Sequence, residues 1–540
     1  MQRIALASSA DVQPVPINTV EPFVYLDQHI ARRVKEHQIE GIQFIWRELI
    51  MDPKHQGCLL AHTMGLGKTM QVISFLVALA QANQSGNAAI TDMIPPHLRN
   101  SKKVLVVCPA SLVDNWFDEI LMWTPPEDPG LLGGIYKISG LRKDKIRKIN
   151  EWNAAPGILI ISYESLKTLL NEKRSSPEDF AALEQSLLED PCVVIADEAH
   201  KLKNAKSTVN KVASSIKTPS RIALTGSPLN NHLEEYHTMI NWIAPNYLGT
   251  LVQFRDKYSE PIQQGLYADS SRYEKRKSLE KLYVLKRDLA PKIDRKDISA
   301  IEKDMPQKTE FFITVPLTEL QKEIYEALVQ HIIAGITSDG KATKSGNAQL
   351  WKWLSILSWL CNHPSCLIRK LQEKNQEGFQ AAILADGDDD VLFPADMDLH
   401  GSSIEDLLPK FLDSFRAIGM LNQLDDPVLS TRAMVTRYLI EESVAQGEKI
   451  LVFSHSIPTL NFLQGMLEDM DCGYLRIDGS TAAGKRQNAT KYFNEQDNDI
   501  HCFLISTRAG GLGLNLQGAN RVIIYDFGKY PLNPLPVRWS

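Results

Sequence analysis

The sequence predicts an α/β protein with two parallel-sheet lobes and a helical insert between them. Short apolar runs rich in Val and Ile alternate with segments long enough for crossover helices, first over residues 58–224 and again over 450–525. The runs are continuously apolar, which is typical of strands covered on both faces of a parallel sheet. From about residue 241 to 408 the apolar spacing becomes helical and charges are dense, which indicates the insert.

In the first lobe, apolar positions at helical spacing predict a helix over residues 34–50, and a second helix is predicted over 68–82. The predicted strands of this lobe are 58–61, 104–108, 158–162, 192–196 and 221–224.

In the second lobe the alternation returns after an acidic loop at 386–390, with predicted strands 450–453, 475–477, 502–505 and 522–525. The sequence therefore predicts a loose leader over 1–28, a first lobe over 29–245, a helical insert and linker over 246–410, a second lobe over 411–526 and a divergent tail over 527–540.

Length and composition limit the classes of protein. The 540 residues include 59 basic and 65 acidic ones, a net charge of −6, and 44% are hydrophobic. This excludes a wholly disordered chain and a general polycation, but a local basic cleft for nucleic acid remains open. No apolar run approaches the ~18 residues of a membrane span. Seven cysteines without a C-x-x-C pair favour a reducing compartment.

A glycine-rich turn joins the first apolar strand to the following helix. Such a turn cradles phosphates, because Gly65 and Gly67 let backbone N–H groups approach the anion and the helix N-terminus adds its dipole. Lys68 would bind the β- and γ-phosphates and Thr69 a Mg²⁺ ion. The pattern G-x-x-x-x-G-K-[ST] is broken at its first position by His62, so a plain strand–turn–helix is the alternative. The residues predicted to contact ATP here are Met64, Gly65, Leu66, Gly67, Lys68 and Thr69.

Two carboxylates follow the strand 192–196, at the sheet edge where ligands bind. Asp197 would hold Mg²⁺ through water, and Glu198 would orient and deprotonate the attacking water. His200 would relay between the nucleotide and later motifs. The alternative is an acidic helix start, which the helix dipole also favours. The preceding phosphate loop favours the catalytic interpretation.

In this order, the motifs resemble those of the Swi/Snf-type ATPases of helicase superfamily 2, over about residues 30–526. The matching segments are Gln38, the family's adenine-sensing glutamine; 108–116 and 161–165, which face DNA; 224–231, which couples ATP to DNA; 360–364 in the connecting region; and 450–456, 477–481 and 506–516 in the second lobe.

The resemblance implies two RecA-like lobes, with ATP and Mg²⁺ as cofactors and double-stranded, nucleosomal DNA as partner. It implies a translocase that remodels chromatin, in which lobe closure on ATP steps the protein along DNA. It also implies a nuclear location, for which the sequence carries no clear signal, and no membrane. Arg508 would reach the phosphates or the DNA. The residues implied to contact DNA, mostly through phosphates, are Pro109, Ser111, Asn115, Ser162, Tyr163, Thr225, Gly226, Ser480 and Thr481.

The branch of the family can be narrowed further. Residues 61–65 read A-H-T-M-G where many members carry D-E-M-G, which is similar to the ATRX-like group. Phe254 and the segments 261–265, 295–297 and 305–308 are similar to the same group. The resemblance therefore favours an ATRX-like or androgen-receptor-interacting-protein-like remodeller over a recombination translocase.

Two tempting signals have a plainer interpretation. Cys361, His363 and Cys366 resemble a zinc cluster, but three ligands in six residues without a fourth nearby do not make a tetrahedral site. We therefore predict no zinc and a helix end packed under Pro364. Trp116 would either stack on a base or be buried in a helix.

The last segment departs from the family pattern. After residue 526 the family has W-N-P and then a helix with two arginines, whereas residues 527–540 hold three close prolines and only Arg538. Prolines at this spacing forbid the helix. The sequence predicts that the arginine-finger motif is missing and the second lobe incomplete, so that ATP binds but turnover is impaired.

Two alternative functions stay open at this point. A D-E-A-H-type RNA helicase shares the carboxylate motif, although the helical insert and residues 361–364 speak against it. A catalytically defective ATP- and DNA-binding protein fits the missing finger motif.

Overall fold

The structure is a computed structural model that describes residues 13–99, 103–170, 177–226, 233–338, 346–376, 408–507 and 516–526. The chain forms two compact units, the first extending to Gln307 and the second beginning at Lys308. This division falls inside the range 246–410 that we assigned to the insert. The domain bounds themselves stay a prediction.

The first unit contains a parallel sheet in the order β3-β4-β2-β5-β6-β1-β7. The five strands predicted here are confirmed to within one residue at each end. Two further strands were missed, because β3 lacks a Val/Ile run and β7 has only two residues. The strands are β1 Cys58–Leu60, β2 Val104–Cys108, β3 Gly134–Lys137, β4 Gly157–Ser162, β5 Val193–Ala196, β6 Arg221–Leu224 and β7 Ile293–Asp294.

The second unit contains a parallel sheet in the order β11-β8-β10-β9. Its strands are β8 Ile450–Ser454, β9 Tyr474–Ile477, β10 Cys502–Ser506 and β11 Arg521–Ile524. All four lie where the sequence predicts them. The predicted α/β class with two parallel-sheet lobes is confirmed.

Helices connect these strands and make up most of the described chain between the last strand of the first sheet and the first strand of the second. The helix Glu36–Trp46 continues as a wider π-helical turn over Arg47–Met51. The α-helices of the described residues, in chain order, are α1 Gln28–Ala31, α2 Glu36–Trp46, α3 Lys68–Asn83, α4 Ala88–Met93, α5 Val113–Trp123, α6 Arg142–Ala154, α7 Tyr163–Leu169, α8 Pro177–Glu184, α9 Thr208–Ser214, α10 Leu233–Ile243, α11 Leu251–Phe254, α12 Glu260–Gln264, α13 Arg272–Leu289, α14 Glu319–Ser338, α15 Gly346–Asn362, α16 Pro364–Gln376, α17 Leu408–Ala417, α18 Thr431–Ala445, α19 Ile457–Asp469 and α20 Ala483–Asn494. Within the described ranges, no helix combines the length and apolarity that crossing a membrane requires.

The first sheet is buried on both faces, which explains its continuously apolar strands. Along β2, Val104 and Val106 belong to one apolar cluster, while Leu105 belongs to another on the opposite face. Helices α2, α3 and α5 contribute to the first cluster, and α7 and α10 to the second. Phe254 and Leu285, from the start of the predicted insert, also pack in the second cluster, so this part of the chain belongs to the first unit.

A buried polar node in the second unit joins the segment 360–364 to the sheet. The Asp526 carboxylate accepts hydrogen bonds from Asn362 Nδ2 at 2.7 Å, Ser454 Oγ at 2.8 Å and the backbone N–H of His455 at 2.6 Å. The node therefore fixes the ends of β8 and β11 to the end of α15.

His363 lies between the helix end at Asn362 and the helix start at Pro364, close to where the sequence predicts a helix end. Its ring is buried and stacks on Phe462 with the ring centroids 3.9 Å apart. Nε2 lies 3.0 Å from the carbonyl oxygen of Asp426 and Nδ1 lies 2.9 Å from Ser365 Oγ. A neutral imidazole, with Nε2 as donor and Nδ1 as acceptor, satisfies both contacts.

Acid is expected to destabilise the second unit through His363. Burial lowers the pKa of His363 to about 4, whereas an unfolded histidine titrates near ~6.5. Between these values the unfolded state binds more protons, so stability is fully present above pH ~6.5 and is lost as the pH falls toward about 4. The loss is about 3 kcal/mol of unfolding free energy, at ~1.4 kcal/mol per pKa unit.

Urea denaturation of the parent and of His363→Gln at several pH values checks this expectation. The carboxylates that also titrate in this range are common to both chains, so the difference between the two curves isolates His363. The same pH dependence in both chains would contradict it.

Candidate functional site

The glycine-rich turn 61–67, which the sequence predicts to be a phosphate loop, lies between β1 and α3. Gly65 and Gly67 adopt φ values of 82° and 74°, in the left-handed region that favours glycine. A Cβ atom on Gly67 would lie 2.5 Å from Nε2 of Gln38, so a larger residue there would also collide with α2. Helix α3 begins at Lys68, and its first turn therefore faces the loop.

The Lys68 ammonium is bound by carbonyl oxygens of its own loop. Nζ donates to the carbonyl of His62 at 3.0 Å and to that of Thr63 at 3.4 Å. Burial lowers the pKa of Lys68, while the negative charges of Asp197 and Glu198 oppose this effect. An ammonium whose direct partners are neutral carbonyls fits an anionic ligand, which would place a counter-charge in direct contact with it.

Asp197 follows β5 and is held on three sides. Oδ2 accepts from Trp116 Nε1 and Oδ1 from the Glu198 backbone N–H, each at 2.8 Å, and the Tyr163 hydroxyl donates to the Asp197 carbonyl at 2.8 Å. Burial, and after it the charge of Glu198, raise the pKa of Asp197. A carboxylate has about four lone-pair positions, so Asp197 retains acceptor capacity for a water-mediated contact with Mg²⁺.

Glu198 has a backbone φ of 48°, which is unusual for a residue other than glycine and indicates local strain. Its Oε2 lies 3.1 Å from Nδ1 of His200. Burial opposes ionisation of Glu198, but the contact with His200 and the charges of His200 and Lys68 outweigh it and lower the Glu198 pKa. Glu198 is therefore a carboxylate near neutral pH, the form that a general base needs.

Gly226 connects the phosphate loop with the carboxylates. It follows β6, which lies between β1 and β5 in the sheet. A Cβ atom on Gly226 would lie 2.6 Å from Met64 Cγ and 3.4 Å from Lys68 Nζ, and the Gly226 backbone hydrogen-bonds to Glu198. The structure thus brings Lys68, Glu198 and Gly226 together.

Gln38 lies beside the same loop. Its Oε1 accepts from the backbone N–H of Lys35 at 2.9 Å, and its Nε2 lies 3.5 Å from the carbonyl oxygen of Leu66. This places Gln38 at the loop, but its contact with adenine stays a prediction.

The residues predicted to contact DNA differ in exposure. Ser162 and Tyr163 are 5% and 1% exposed. Ser162 caps α7 by accepting from the Ser165 backbone N–H, and Tyr163 bonds to Asp197. Their burial argues against direct contact of either side chain with DNA. Pro109 is buried as well, whereas Ser111 and Asn115 are partly exposed after β2.

The other candidates are Thr225 in the first unit, Ser480 and Thr481 in the second unit, and residues outside the described ranges. Ser480 is exposed and Thr481 partly exposed in a turn after β9, where the Ser480 hydroxyl donates to Asp478 at 2.6 Å. Thr225 follows β6, and its backbone N–H donates to the Leu60 carbonyl at 3.0 Å. Arg508, the tail 527–540 and the acidic loop 386–390 lie outside the described residues.

Trp116 and Tyr163 both bond to Asp197, and the sequence predicted neither contact. Trp116 is fully buried, so burial rather than base stacking is the correct one of its two interpretations. Both residues follow strands at the same sheet edge as Asp197, which the strand order β4-β2-β5 makes visible. That order cannot be read from the sequence.

The candidate residues fit Mg²⁺ only if phosphate oxygens and waters supply the rest of its ligands. Among the residues that the structure describes, no three His, Cys, Asp or Glu side chains form a group able to hold a metal ion. Thr69 and Asp197, the two predicted magnesium contacts, both follow strands of the first sheet, β1 and β5. Such a sparse set is typical of Mg²⁺ bound with a nucleotide.

Comparison with known proteins gives two family matches. Residues 37–366 match the SNF2-related domain, and residues 431–534 match the helicase conserved C-terminal domain.

Several curated proteins are similar over nearly the whole chain. Identity is 30% to Protein CHROMATIN REMODELING 20 of Arabidopsis thaliana, over 94% of this chain and 35% of that protein. Identity to Transcriptional regulator ATRX of Homo sapiens is 29%, over 95% of this chain and 24% of that protein. Identity to Helicase ARIP4 of Xenopus tropicalis is 28%, over 95% of this chain and 42% of that protein. The chain thus spans between 24% and 42% of the length of these relatives.

Among solved structures, the Sulfolobus solfataricus SWI2/SNF2 ATPase core in complex with dsDNA is similar at 21% identity, over 92% of this chain and 82% of that one. The TM-score of 0.38 is too low to support a conclusion.

Proposed function

The chain belongs to the SNF2-related family, and on that premise we propose that it is an ATP-dependent translocase on double-stranded DNA that remodels chromatin. The observation that carries the proposal is the convergence of Lys68, Glu198 and Gly226 at one sheet edge. It joins a phosphate-binding group, a base and the motif that the family uses to couple ATP to DNA.

ATP binding is assigned to the first unit. Gln38 would contact adenine, and the turn from Gly65 to Thr69 would hold the phosphates through backbone N–H groups. Lys68 would exchange its two carbonyl partners for the β- and γ-phosphates.

Hydrolysis requires a positioned and deprotonated water. Glu198 would accept the proton of that water, since its pKa is lowered and it is ionised near neutral pH. Asp197, held by Trp116 and Tyr163, would orient the waters around Mg²⁺. When bound, the Mg²⁺ ion would neutralise charge on the phosphates.

Coupling to motion is assigned to the second lobe. Arg508 would reach the phosphates or the DNA when the lobes close on ATP, and reopening would release the protein to its next step. Arginine fingers raise hydrolysis ~10³–10⁵-fold in GTPases. Because the sequence predicts that this motif is missing, we expect the chain to hydrolyse ATP poorly. A hydrolysis assay with saturating DNA checks this prediction.

The partner proposed is nucleosomal DNA, and the location proposed is the nucleus. Relatives named for chromatin remodelling and transcriptional regulation support both. Zinc is not part of the proposed function, since both ring nitrogens of His363 already have protein partners.

Stimulation of ATP hydrolysis by nucleic acid tests the function. Duplex DNA is expected to stimulate hydrolysis more than RNA of equal length does. Stronger stimulation by RNA would favour the D-E-A-H-type RNA helicase instead. Binding of ATP without hydrolysis, with or without DNA, would favour the defective ATP- and DNA-binding protein.

Binding of duplex DNA is expected to show no sequence preference and a steep salt dependence. Contacts to phosphates release counterions, so about six such contacts would weaken binding roughly 10³-fold between 50 and 200 mM salt. Fluorescence anisotropy with two unrelated duplexes, and with matched RNA, measures the effect. A shallow salt slope or tighter binding of RNA would contradict the prediction.

A further inference from the structure

The short strand β7 continues beyond its two residues along the phosphate loop. Backbone N–H groups of Ala61 and Thr63 donate to the carbonyls of Asp294 and Lys296, at 2.8 and 3.0 Å. The first half of the loop is therefore an added strand segment, held by residues 292–296. From these residues the chain runs on to Lys308, where the second unit begins.

This segment is anchored firmly to the first unit. The Lys292 ammonium is buried and lies 2.7 Å from Glu48 and 2.9 Å from Asp52. Breaking a buried charge pair of this kind is strongly destabilising, because one charge is left uncompensated. The position of the segment beside the loop is thus fixed by the π-helical turn after α2, which carries Glu48 and ends before Asp52.

Asp294 also reaches the loop with its side chain. The His62 side chain is fully buried, and its Nε2 lies 3.0 Å from Asp294 Oδ2. Among the described residues, His62 Nδ1 and Gln71 Oε1 are buried polar atoms without a hydrogen-bond partner. Both side chains surround Gly41, since a Cβ atom there would lie 2.0 Å from Gln71 Oε1 and 3.4 Å from His62 Cε1.

The cluster of Asp294, His62 and Gln71 holds both halves of the loop. His62 presents the carbonyl that binds Lys68 Nζ at 3.0 Å. Gln71 Nε2 donates to the carbonyl of Leu66 at 3.0 Å. The position of the Lys68 ammonium therefore depends on a buried contact with the segment that leads to the second unit.

We propose that Asp294 is a positioning residue for the phosphate loop, which acts through His62 to set the place of Lys68 before nucleotide arrives. The inference rests on the proposed ATP site. His62, which breaks the glycine pattern of phosphate loops, is then the partner that makes this loop dependent on residues 292–296.

Paired substitutions test the inference. Asp294→Ala and His62→Ala are each expected to weaken ATP and ADP binding roughly tenfold, the lower end of what loss of an outer-shell partner costs at metal sites. The double variant is expected to lose ATP affinity by the same factor as each single variant, because both substitutions remove the same Asp294–His62 contact. AMP lacks the phosphates assigned to Lys68, so it makes no contact with Lys68 in the parent or in the variants. Its affinity is therefore expected to change less than about twofold.

Two matched variants separate positioning from general destabilisation. Asp294→Asn keeps an oxygen acceptor of the same shape and is expected to bind ATP nearly as the parent does. Glu40→Gln removes the exposed ion pair with Lys296 and is expected to leave ATP binding unchanged. Unchanged ATP affinity in Asp294→Ala, an equal loss for AMP, or a double variant with the product of the single losses would overturn the inference.

Hydrogen exchange gives a readout that needs no nucleotide. In the ligand-free chain, Asp294→Ala is expected to speed exchange of the Ala61 and Thr63 amides while Asp294→Asn is not. If the parent chain fails to bind ATP, the proposed function is overturned, and exchange at these amides still decides the inference. Equal exchange in parent and Asp294→Ala would overturn it.

Discussion

Lys68→Ala is expected to abolish ATP turnover and to weaken ATP binding by roughly 10²-fold. Lys68 is partly buried, and the present partners of its ammonium are the carbonyls of His62 and Thr63. A hydrogen bond to a charged group is worth ~1.5–3 kcal/mol, and ~1.4 kcal/mol corresponds to a factor of ten in affinity. Alanine removes the charge without filling the phosphate site.

Calorimetric titration with ATP and a steady-state hydrolysis assay measure the two effects. Lys54→Ala is the matched control, since Lys54 is exposed in the turn before β1, away from the loop. Equal ATP affinity in the parent and Lys68→Ala would show that the loop at Lys68 is not the ATP-binding site.

Glu198→Gln is expected to keep ATP binding and to slow hydrolysis ~10²–10⁴-fold, the range of general-base catalysis. Glutamine has nearly the shape of the carboxylate but cannot take the proton of the attacking water. The lowered pKa of Glu198, to which His200 and Lys68 contribute, keeps this carboxylate ionised near neutral pH. Asp197 keeps its contacts with Trp116 and Tyr163.

Single-turnover hydrolysis at saturating ATP isolates the chemical step from binding. Glu151→Gln, on an exposed position of α6, serves as the control for loss of one negative charge. If Glu198→Gln hydrolyses ATP at the parent's rate, Glu198 is not the base and another group must activate the water.

Local patterns in the sequence were sufficient to predict most of the strands and the glycine-rich turn. Nine strands lie where the apolar runs predict them, and all but β9 and β11 are buried at every residue, which requires a continuous apolar run. The turn at Gly65 and Gly67 was equally readable, since both residues adopt the left-handed backbone that favours glycine.

Packing, rather than local sequence, decides the burial of other side chains. Ser162 and Tyr163 follow a strand at the ligand edge, as exposed contacts would, yet both are buried. Tyr163 turns inward because β4 lies two strands from β5, close enough for its hydroxyl to reach the Asp197 carbonyl.

The sequence by itself determined the α/β class, because apolar runs alternate with helical segments along the chain. It also determined the glycine-rich turn and the carboxylate pair, because each is encoded within a dozen consecutive residues. The tertiary structure alone decided how those residues are held. The contact of Asp294 with His62 joins positions 232 residues apart, and that of Trp116 with Asp197 joins positions 81 apart. Such pairs depend on strand order and sheet edges, which no periodicity in a single chain records, since parallel strands adjacent in space are distant in sequence.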